Sequence, residues 1–155
     1  MADSTQATTG LSLIRSGVSL QLFGLLWGMI VQLTPFPRLA LTAHIQLMVE
    51  GSMILGAGLL IRQPKLLKLS TLESSIVWWG LAFVWITMLA ECTNAFWGTN
   101  QILPIAAAAA GAKGAVPWQE QIMTITHVLP SVGLIGSFAV LVLAVFRGED
   151  TKKTK

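Results

Sequence analysis

Residues 41–61 read LTAHIQLMVEGSMILGAGLLI, a run in which only His44 and Glu50 can carry a charge. A helix of about 20 mostly apolar residues, rising about 1.5 Å per residue, is long enough to cross the hydrocarbon core of a bilayer. Three further runs, 16–34, 75–97 and 122–146, have similar length and composition. The sequence therefore predicts an all-α integral membrane protein, a four-helix bundle forming one domain over residues 1–155.

The overall composition also indicates a protein that is dissolved in lipid. Charged residues make up 11% of the 155 residues and apolar residues 54%, whereas a soluble domain carries about 25% charged residues. The ten basic residues are neither clustered nor interleaved with aromatic residues, which argues against a nucleic-acid partner. The single cysteine, Cys92, excludes an intrachain disulfide and a multi-cysteine metal site.

The basic residues are distributed unevenly between the two sides of the predicted bundle. Four spans place both termini and the loop 62–70 on the same side, together with Arg15, Arg62, Lys65, Lys68, Arg147, Lys152, Lys153 and Lys155. The other side holds only Arg38 and Lys113. Because cytoplasmic loops are enriched in Lys and Arg, we expect the termini on the cytoplasmic side. In a bacterium this would be a multi-pass protein of the inner membrane.

The long connection 98–119 does not have the composition of a fifth span. It contains Pro104, Pro117, several glycines and the alanine run 106–110. Prolines and glycines at these positions break a membrane helix. We expect this segment to fold back as a lid over the non-cytoplasmic end of the bundle.

Ionisable and strongly polar residues inside the spans are the candidates for a functional site. Counting at about 1.5 Å per residue places all five in the non-cytoplasmic half: His44, Glu50, Glu91, Asn94 and His127. A carboxylate inside the membrane is costly unless it is paired, hydrated or protonated, so we predict one pocket, sealed from lipid, where these groups meet. In the alternative interpretation, Glu50 and Glu91 are protonated and only bond neighbouring helices.

The angular positions of these residues suggest two faces. Gly51 and Gly58 lie almost on the same stripe of the second span as His44, so a flat cofactor could lie against this helix beside the imidazole. The alternative is that the glycines allow a neighbouring helix to approach closely, which is common in membranes. Glu91 and Asn94 share a face of the third span, which we expect to point into the bundle.

His127 has three possible roles. It could be a second axial ligand, a proton carrier, or a histidine bonded to the backbone carbonyl that Pro130 leaves without its usual partner. We favour the last of these. The chain carries no phosphate-binding glycine loop, nucleophile elbow or two-histidine zinc motif.

Several segments resemble the hydroxylaminobenzene mutase family. They are PRLALTAH at 37–44 with the following Glu50-Gly51, LPIAA at 103–107, and WQE at 118–120. The resemblance covers residues 16–147. The Ala-His element at 43–44, with the polar residue and glycine that follow, is also similar to styrene oxide isomerase, another small four-helix membrane enzyme.

The resemblance implies a cofactor and a set of site residues. His44 would be the axial ligand of a b-type haem, with Gly51 beside it, in a homotrimer. The position of Glu50 is usually asparagine in these families, and the change affects which substrate the site would accept. Asn94 matches a polar residue of the third helix near the active site. We therefore predict Glu50, Glu91 and Asn94 as catalytic residues and His44 as the metal ligand.

The function implied is isomerisation of a small apolar, aromatic substrate taken up from the bilayer. Lewis-acid catalysis at a ferric haem would convert an arylhydroxylamine to an aminophenol, or an epoxide to a carbonyl compound. Two alternatives remain open at this point. One is a non-enzymatic membrane protein, such as a permease or assembly factor. The other is a haem b electron carrier with His44 and His127 as paired ligands.

Overall fold

The computed structural model of the protein describes the backbone of residues 2–153 and the side chains of residues 4–147. This part of the chain contains six α-helices and one 3₁₀ turn, Val31–Leu33, and no strand. The helices are α1 (Ala2–Ile30), α2 (Pro37–Ile61), α3 (Thr71–Ala82), α4 (Val84–Trp97), α5 (Pro104–Ala110) and α6 (Pro117–Lys153). Four helical stretches are long and apolar enough to cross a membrane: Ser4–Leu33, Pro37–Ile61, Thr71–Trp97 and Pro117–Arg147. The predicted all-α fold with four spans is confirmed.

Local sequence signals explain where most of the spans begin and end. Pro37 occupies the first turn of α2, where a missing N–H costs nothing. Ser70 and Glu73 form a capping box at the start of α3. Gly98 ends α4 in the left-handed conformation, with φ of 66°, which glycine adopts without steric cost. The main departure is α1, which begins at Ala2 rather than near residue 16, because a helix can continue in polar sequence beyond the lipid.

The third span, α3 with α4, lies between the other three. It is interrupted at Phe83, and its two halves contact α1, α2 and α6. The helices α2 and α6 are separated by a groove of about 360 Å³. We call this the α2–α6 groove; its lining residues are Met53, Gly56, Ala57, Leu60, Phe138, Leu141, Val142, Val145 and Phe146.

Contacts between distant segments define the two ends of the bundle. At one end, the Gln6 side chain donates to the carbonyl of Ile61 (2.7 Å) and accepts from the amide of Leu69 (2.9 Å). Arg147 pairs with Glu73 at 2.5 Å at the same end. The loop 62–70 and the outer ends of α1 and α6 are thus together, as predicted. Lys152, Lys153 and Lys155 lie outside the described side chains, and the cytoplasmic location of this end remains a prediction from charge asymmetry.

The connection between α4 and α6 covers the opposite end. Helix α5 is too short to span a membrane, and Ala107 and Ala112 bury themselves against Leu39 near the start of α2. The prediction that this connection is not a fifth span is confirmed for the described residues.

Candidate active site

His44 lies on the side of α2 that faces α1, and it is half-buried. Its Nδ1 is 2.8 Å from the carbonyl oxygen of Gly24. Because a carbonyl can only accept, Nδ1 is the donor, and in a neutral imidazole the lone pair is then on Nε2. Nε2 makes no hydrogen bond to any residue that the structure describes. Metal-binding histidines are commonly held this way, with the other ring nitrogen donating to a backbone carbonyl.

Gly28 provides the space that the His44 ring occupies. A Cβ built at Gly28 would lie 2.9 Å from both Cε1 and Nδ1 of His44. Two glycines of α1 therefore position the ring: the Gly24 carbonyl accepts its hydrogen bond, and Gly28 leaves the space that it occupies. Neither was predicted from the sequence. Their four-residue spacing is visible in the sequence, but the helix that they face is not.

The glycines of α2 that follow His44 pack directly against α1. A Cβ at Gly51 would lie 2.7 Å from Cγ of Gln21 and 3.0 Å from the Gly17 carbonyl oxygen. A Cβ at Gly58 would be equally close to the backbone of α1. Within one chain α1 fills the surface in front of Gly51, as expected if the glycines serve close helix packing. These contacts lend no support to the predicted role of Gly51 in cofactor binding.

Glu50 lies on a different side of α2 from His44. The six residues between them correspond to a rotation of about 120° around the helix axis. Glu50 shares its side with Gln46, Met53 and Ala57, and the last two line the α2–α6 groove. The Oε2 atom of Glu50 and the Oε1 atom of Gln46 are both buried without a hydrogen-bond partner among the described residues. Two unsatisfied oxygens thus lie on the α2 wall, just beyond the Met53 end of the groove.

Glu91 and His127 form a buried pair between α4 and α6. The Nε2 atom of His127 is 2.5 Å from Oε1 of Glu91, whose side chain is fully buried. The Nδ1 atom of His127 is 2.7 Å from the carbonyl oxygen of Met123. The second carboxylate oxygen of Glu91, Oε2, is buried and has no hydrogen-bond partner in the described part of the chain. Both nitrogens of His127 are therefore bonded within the chain, unlike those of His44.

His127 is on the side of α6 that faces the groove. At 100° per residue, Phe138, Leu141 and Val145 lie within about 40° of it around the helix axis, and all three line the α2–α6 groove. The lining of the groove itself begins at Met53 on α2 and at Phe138 on α6, so neither Glu50 nor His127 is part of it.

The structure corrects the predicted role of Pro130. The carbonyl that this proline leaves without an amide partner belongs to Thr126, four residues earlier. The hydroxyl of Thr87 on α4 donates to that carbonyl at 2.8 Å. His127 instead bonds the Met123 carbonyl, so the favoured prediction for this histidine is wrong. Thr87 was missed because a threonine within a span usually bonds its own helix.

Asn94 lies one turn after Glu91 and is fully buried. Its Oδ1 accepts hydrogen bonds from the amide (2.9 Å) and hydroxyl (2.7 Å) of Thr99. Its Nδ2 is buried without a partner. Asn94 thus holds the turn that ends α4 and still offers an unused donor inside the bundle.

Glu120 organises the segment that covers this end of the bundle. Its carboxylate accepts from the backbone amides of Asn100 (3.0 Å), Gln101 (3.1 Å) and Ala115 (2.9 Å). Both ends of the connection are thereby tied to the first turn of α6. The sequence contained this residue in the WQE motif, but its local partners could not be read from spacing.

The predicted site residues therefore do not meet in one cluster. His44 lies at the contact between α1 and α2, Glu50 lies on another side of α2, and Glu91 pairs with His127 between α4 and α6. His44 makes no hydrogen bond to Glu50, Glu91 or His127. Among the described residues, no group of three His, Cys, Asp or Glu side chains is arranged to hold a metal ion. A metal would thus have to bring most of its own ligands.

Five buried polar atoms have no hydrogen-bond partner among the residues that the structure describes. They are Gln46 Oε1, Glu50 Oε2, Glu91 Oε2 and Asn94 Nδ2, all on α2 and α4, together with Ser74 Oγ on α3. A buried polar atom normally has a partner, and four of these five lie in the half of the bundle next to the 98–116 connection. A small molecule with oxygen or nitrogen atoms could satisfy them.

Comparison with known proteins shows which family the chain resembles. The family model for styrene oxide isomerase matches residues 10–146 of the chain. Hydroxylaminobenzene mutase HabA of Ectopseudomonas oleovorans is 30% identical over 120 residues, which cover 72% of this chain and 80% of that protein. Hydroxylaminobenzene mutase HabB of the same organism is 29% identical over 105 residues, covering 67% of this chain and 63% of that protein.

No solved structure matches the chain. The family match extends from the first turns of α1 almost to the end of the described side chains of α6, so it includes every predicted site residue. Together with the similarity to HabA over most of both chains, it identifies the chain as a member of the styrene oxide isomerase family.

Proposed function

We propose that this protein is a membrane-embedded isomerase that rearranges a small apolar, aromatic molecule with the help of haem b. The two substrate classes follow the names of the relatives, hydroxylaminobenzene mutase and styrene oxide isomerase. A substrate of the first class, an arylhydroxylamine, would be converted to an aminophenol. A substrate of the second class, an epoxide, would be converted to a carbonyl compound. The observation that carries the haem proposal is the His44 imidazole, held at Nδ1 by Gly24 and free at Nε2.

His44 would be the residue that holds the iron of the haem. A haem brings four nitrogen ligands of its own, so the protein needs to supply only one or two. The lack of a three-residue metal site among the described residues is compatible with such a cofactor. When bound, a ferric haem would supply a Lewis acid for the substrate oxygen.

Buried polar side chains of the spans would handle the charge that develops on the substrate. Cleavage of a C–O or N–O bond leaves positive charge on the organic fragment, and a buried carboxylate stabilises it strongly in a low-dielectric site. Glu50 is suited to this role because its Oε2 is buried and has no protein partner. Asn94 could donate from Nδ2 to a substrate oxygen. The apolar groove would admit a lipid-soluble substrate and exclude water.

A second copy of the chain would complete the haem site. His44 is only half-buried, and α1 occupies the adjacent glycine surface, so a haem at Nε2 would extend beyond a single chain. We propose a homotrimer, as in the isomerase that the sequence resembles. The mass of the protein in detergent with haem bound measures this directly.

Two observations support an isomerase over the alternatives. A bis-histidine electron carrier would need a free nitrogen on His127, but both are bonded to Glu91 and Met123. A permease would need polar groups along the whole depth of the bundle. The α2–α6 groove is instead lined by apolar residues over its length from Met53 to Phe146.

The test begins with the absorption spectrum of the purified protein and its turnover of phenylhydroxylamine and styrene oxide. We expect a Soret band in the wild type and loss of both haem and turnover in His44→Ala. The matched control is Trp27→Phe, which removes another hydrogen bond between α1 and α2, from Trp27 to the Ala40 carbonyl (2.9 Å). This control should keep its haem. A wild type that neither contains nor binds haem would refute the proposal that haem is the cofactor. Full turnover in His44→Ala would refute the proposal that His44 is the iron ligand.

A further inference from the structure

The Glu91–His127 pair shares one proton that can sit on either partner. The Nδ1 atom of His127 must carry a hydrogen, because its partner is the Met123 carbonyl, 2.7 Å away. The 2.5 Å contact between Nε2 and Oε1 of Glu91 needs one further proton. If this proton is on Nε2, the pair is an imidazolium with a carboxylate; if it is on Oε1, both groups are neutral. The same hydrogen bond serves both forms, so a second proton can be taken up and released at the other carboxylate oxygen without breaking the contact between α4 and α6.

The second oxygen of Glu91 is the atom through which such a proton could be exchanged. Oε2 is buried and has no hydrogen-bond partner among the described residues, while Oε1 is occupied by His127. The structure describes a second ion pair between the third and fourth spans, and it cannot exchange a proton in this way. Glu73 binds Arg147 at the opposite end of the bundle, and a guanidinium does not give up its proton.

Thr87 holds the two helices in register at this pair. It lies one turn before Glu91 on α4, and its hydroxyl binds the carbonyl of Thr126, the residue before His127, at 2.8 Å. That carbonyl is free because Pro130 lacks an amide hydrogen. Pro130 thus leaves an acceptor on α6 next to the Glu91–His127 pair, and the Thr87 hydroxyl of α4 binds it.

From this geometry we infer that Glu91 and His127 form the proton-transfer unit of the candidate site. Glu91 takes up the ring proton of the substrate at Oε2 and returns a proton to the substrate nitrogen from the same atom, while His127 holds the proton of the shared hydrogen bond. Thr87 is a positioning residue. This inference rests on the proposed isomerase function and deepens it, because only one of the two proposed reactions requires such a unit.

The rearrangement of an arylhydroxylamine moves protons as well as oxygen. The N–O bond breaks and a C–O bond forms on the ring; the ring carbon loses a proton and the nitrogen gains one. The nitrogen is reduced by the two electrons that the ring carbon loses, so the product is an isomer and no external reagent is needed. Rearrangement of an epoxide to a carbonyl compound moves a hydride between neighbouring carbons and needs no proton carrier.

The experiment compares Glu91→Gln with the wild type on both substrates. Glutamine keeps the shape, and its amide can donate to Nε2 of His127, so the contact between helices survives without a transferable proton. We expect arylhydroxylamine turnover to fall by about 100-fold or more, the range of general acid–base catalysis, with epoxide turnover changing much less. The haem absorption spectrum should not change. The matched control is Glu73→Gln, which removes the pair with Arg147 and should leave both rates unchanged.

A measurement on the unmodified protein covers the case in which Glu91→Gln does not fold. In D₂O the wild type should turn over the arylhydroxylamine more slowly than in H₂O, with no comparable effect on the epoxide. An active wild type whose Glu91→Gln variant keeps arylhydroxylamine turnover, or whose two reactions respond equally to D₂O, overturns the inference alone. A wild type that turns over the epoxide but not the arylhydroxylamine also overturns the inference alone. A wild type that turns over neither substrate overturns the proposed function and this inference with it.

Discussion

Replacing Gly28 with alanine tests whether α1 prepares His44 for metal binding. The new Cβ would lie 2.9 Å from Cε1 and Nδ1 of the imidazole, whereas ordinary contacts begin at 3.4 Å. Because neighbouring atoms are closely packed, the ring must move by about 0.5 Å or more. That displacement stretches the 2.8 Å bond to the Gly24 carbonyl to or beyond the limit of a good hydrogen bond. The ring would then lose the partner that fixes its protonation and orientation.

The expected consequence is weaker haem binding without loss of the fold. Removing the partner of a metal-binding histidine typically lowers metal affinity by about 10- to 100-fold, which corresponds to about 1.4–2.7 kcal/mol. The assay is titration of haem-depleted protein in detergent, followed at the Soret band. Gly136→Ala is the control, because a Cβ at Gly136 meets nothing within 4 Å. If Gly28→Ala binds haem as tightly as this control, the contacts of His44 with Gly24 and Gly28 have no role in metal binding.

Two further substitutions test the packing around the site. Gly80→Ala should destabilise the contact of α3 with α6 by about 1–3 kcal/mol, because its Cβ would lie 2.9 Å from the Gly133 carbonyl carbon. Thermal unfolding in detergent measures this, and a melting temperature equal to that of Gly136→Ala would contradict it. Glu120→Ala should speed amide hydrogen exchange in the 98–116 connection by about tenfold or more, since three amides lose a charged acceptor worth about 1.5–3 kcal/mol each. Gln119→Ala, which frees only one amide, should change exchange much less.

Residue type identified several members of the candidate site but not their partners. His44, Glu50, Glu91 and His127 stand out because ionisable groups are rare in lipid. Gln46 could have been found in the same way, since its position is one turn before Glu50. The partner of His44 is the backbone carbonyl of Gly24, which residue type cannot indicate, and the partner of Glu91 is His127 on another helix.

The number and approximate limits of the spans follow from the sequence alone, because the length of an apolar run is a local property and lipid requires every backbone group in it to be bonded within the helix. The sequence also places the polar groups at one depth, since depth depends only on counting along a helix. The rotation of each helix about its axis was decided by tertiary packing. Glycine contacts decide which side of α2 packs against α1 and so place His44 there, and the bond from Thr87 to Thr126 aligns Glu91 with His127. These contacts join residues far apart in the chain, so no local pattern could determine them.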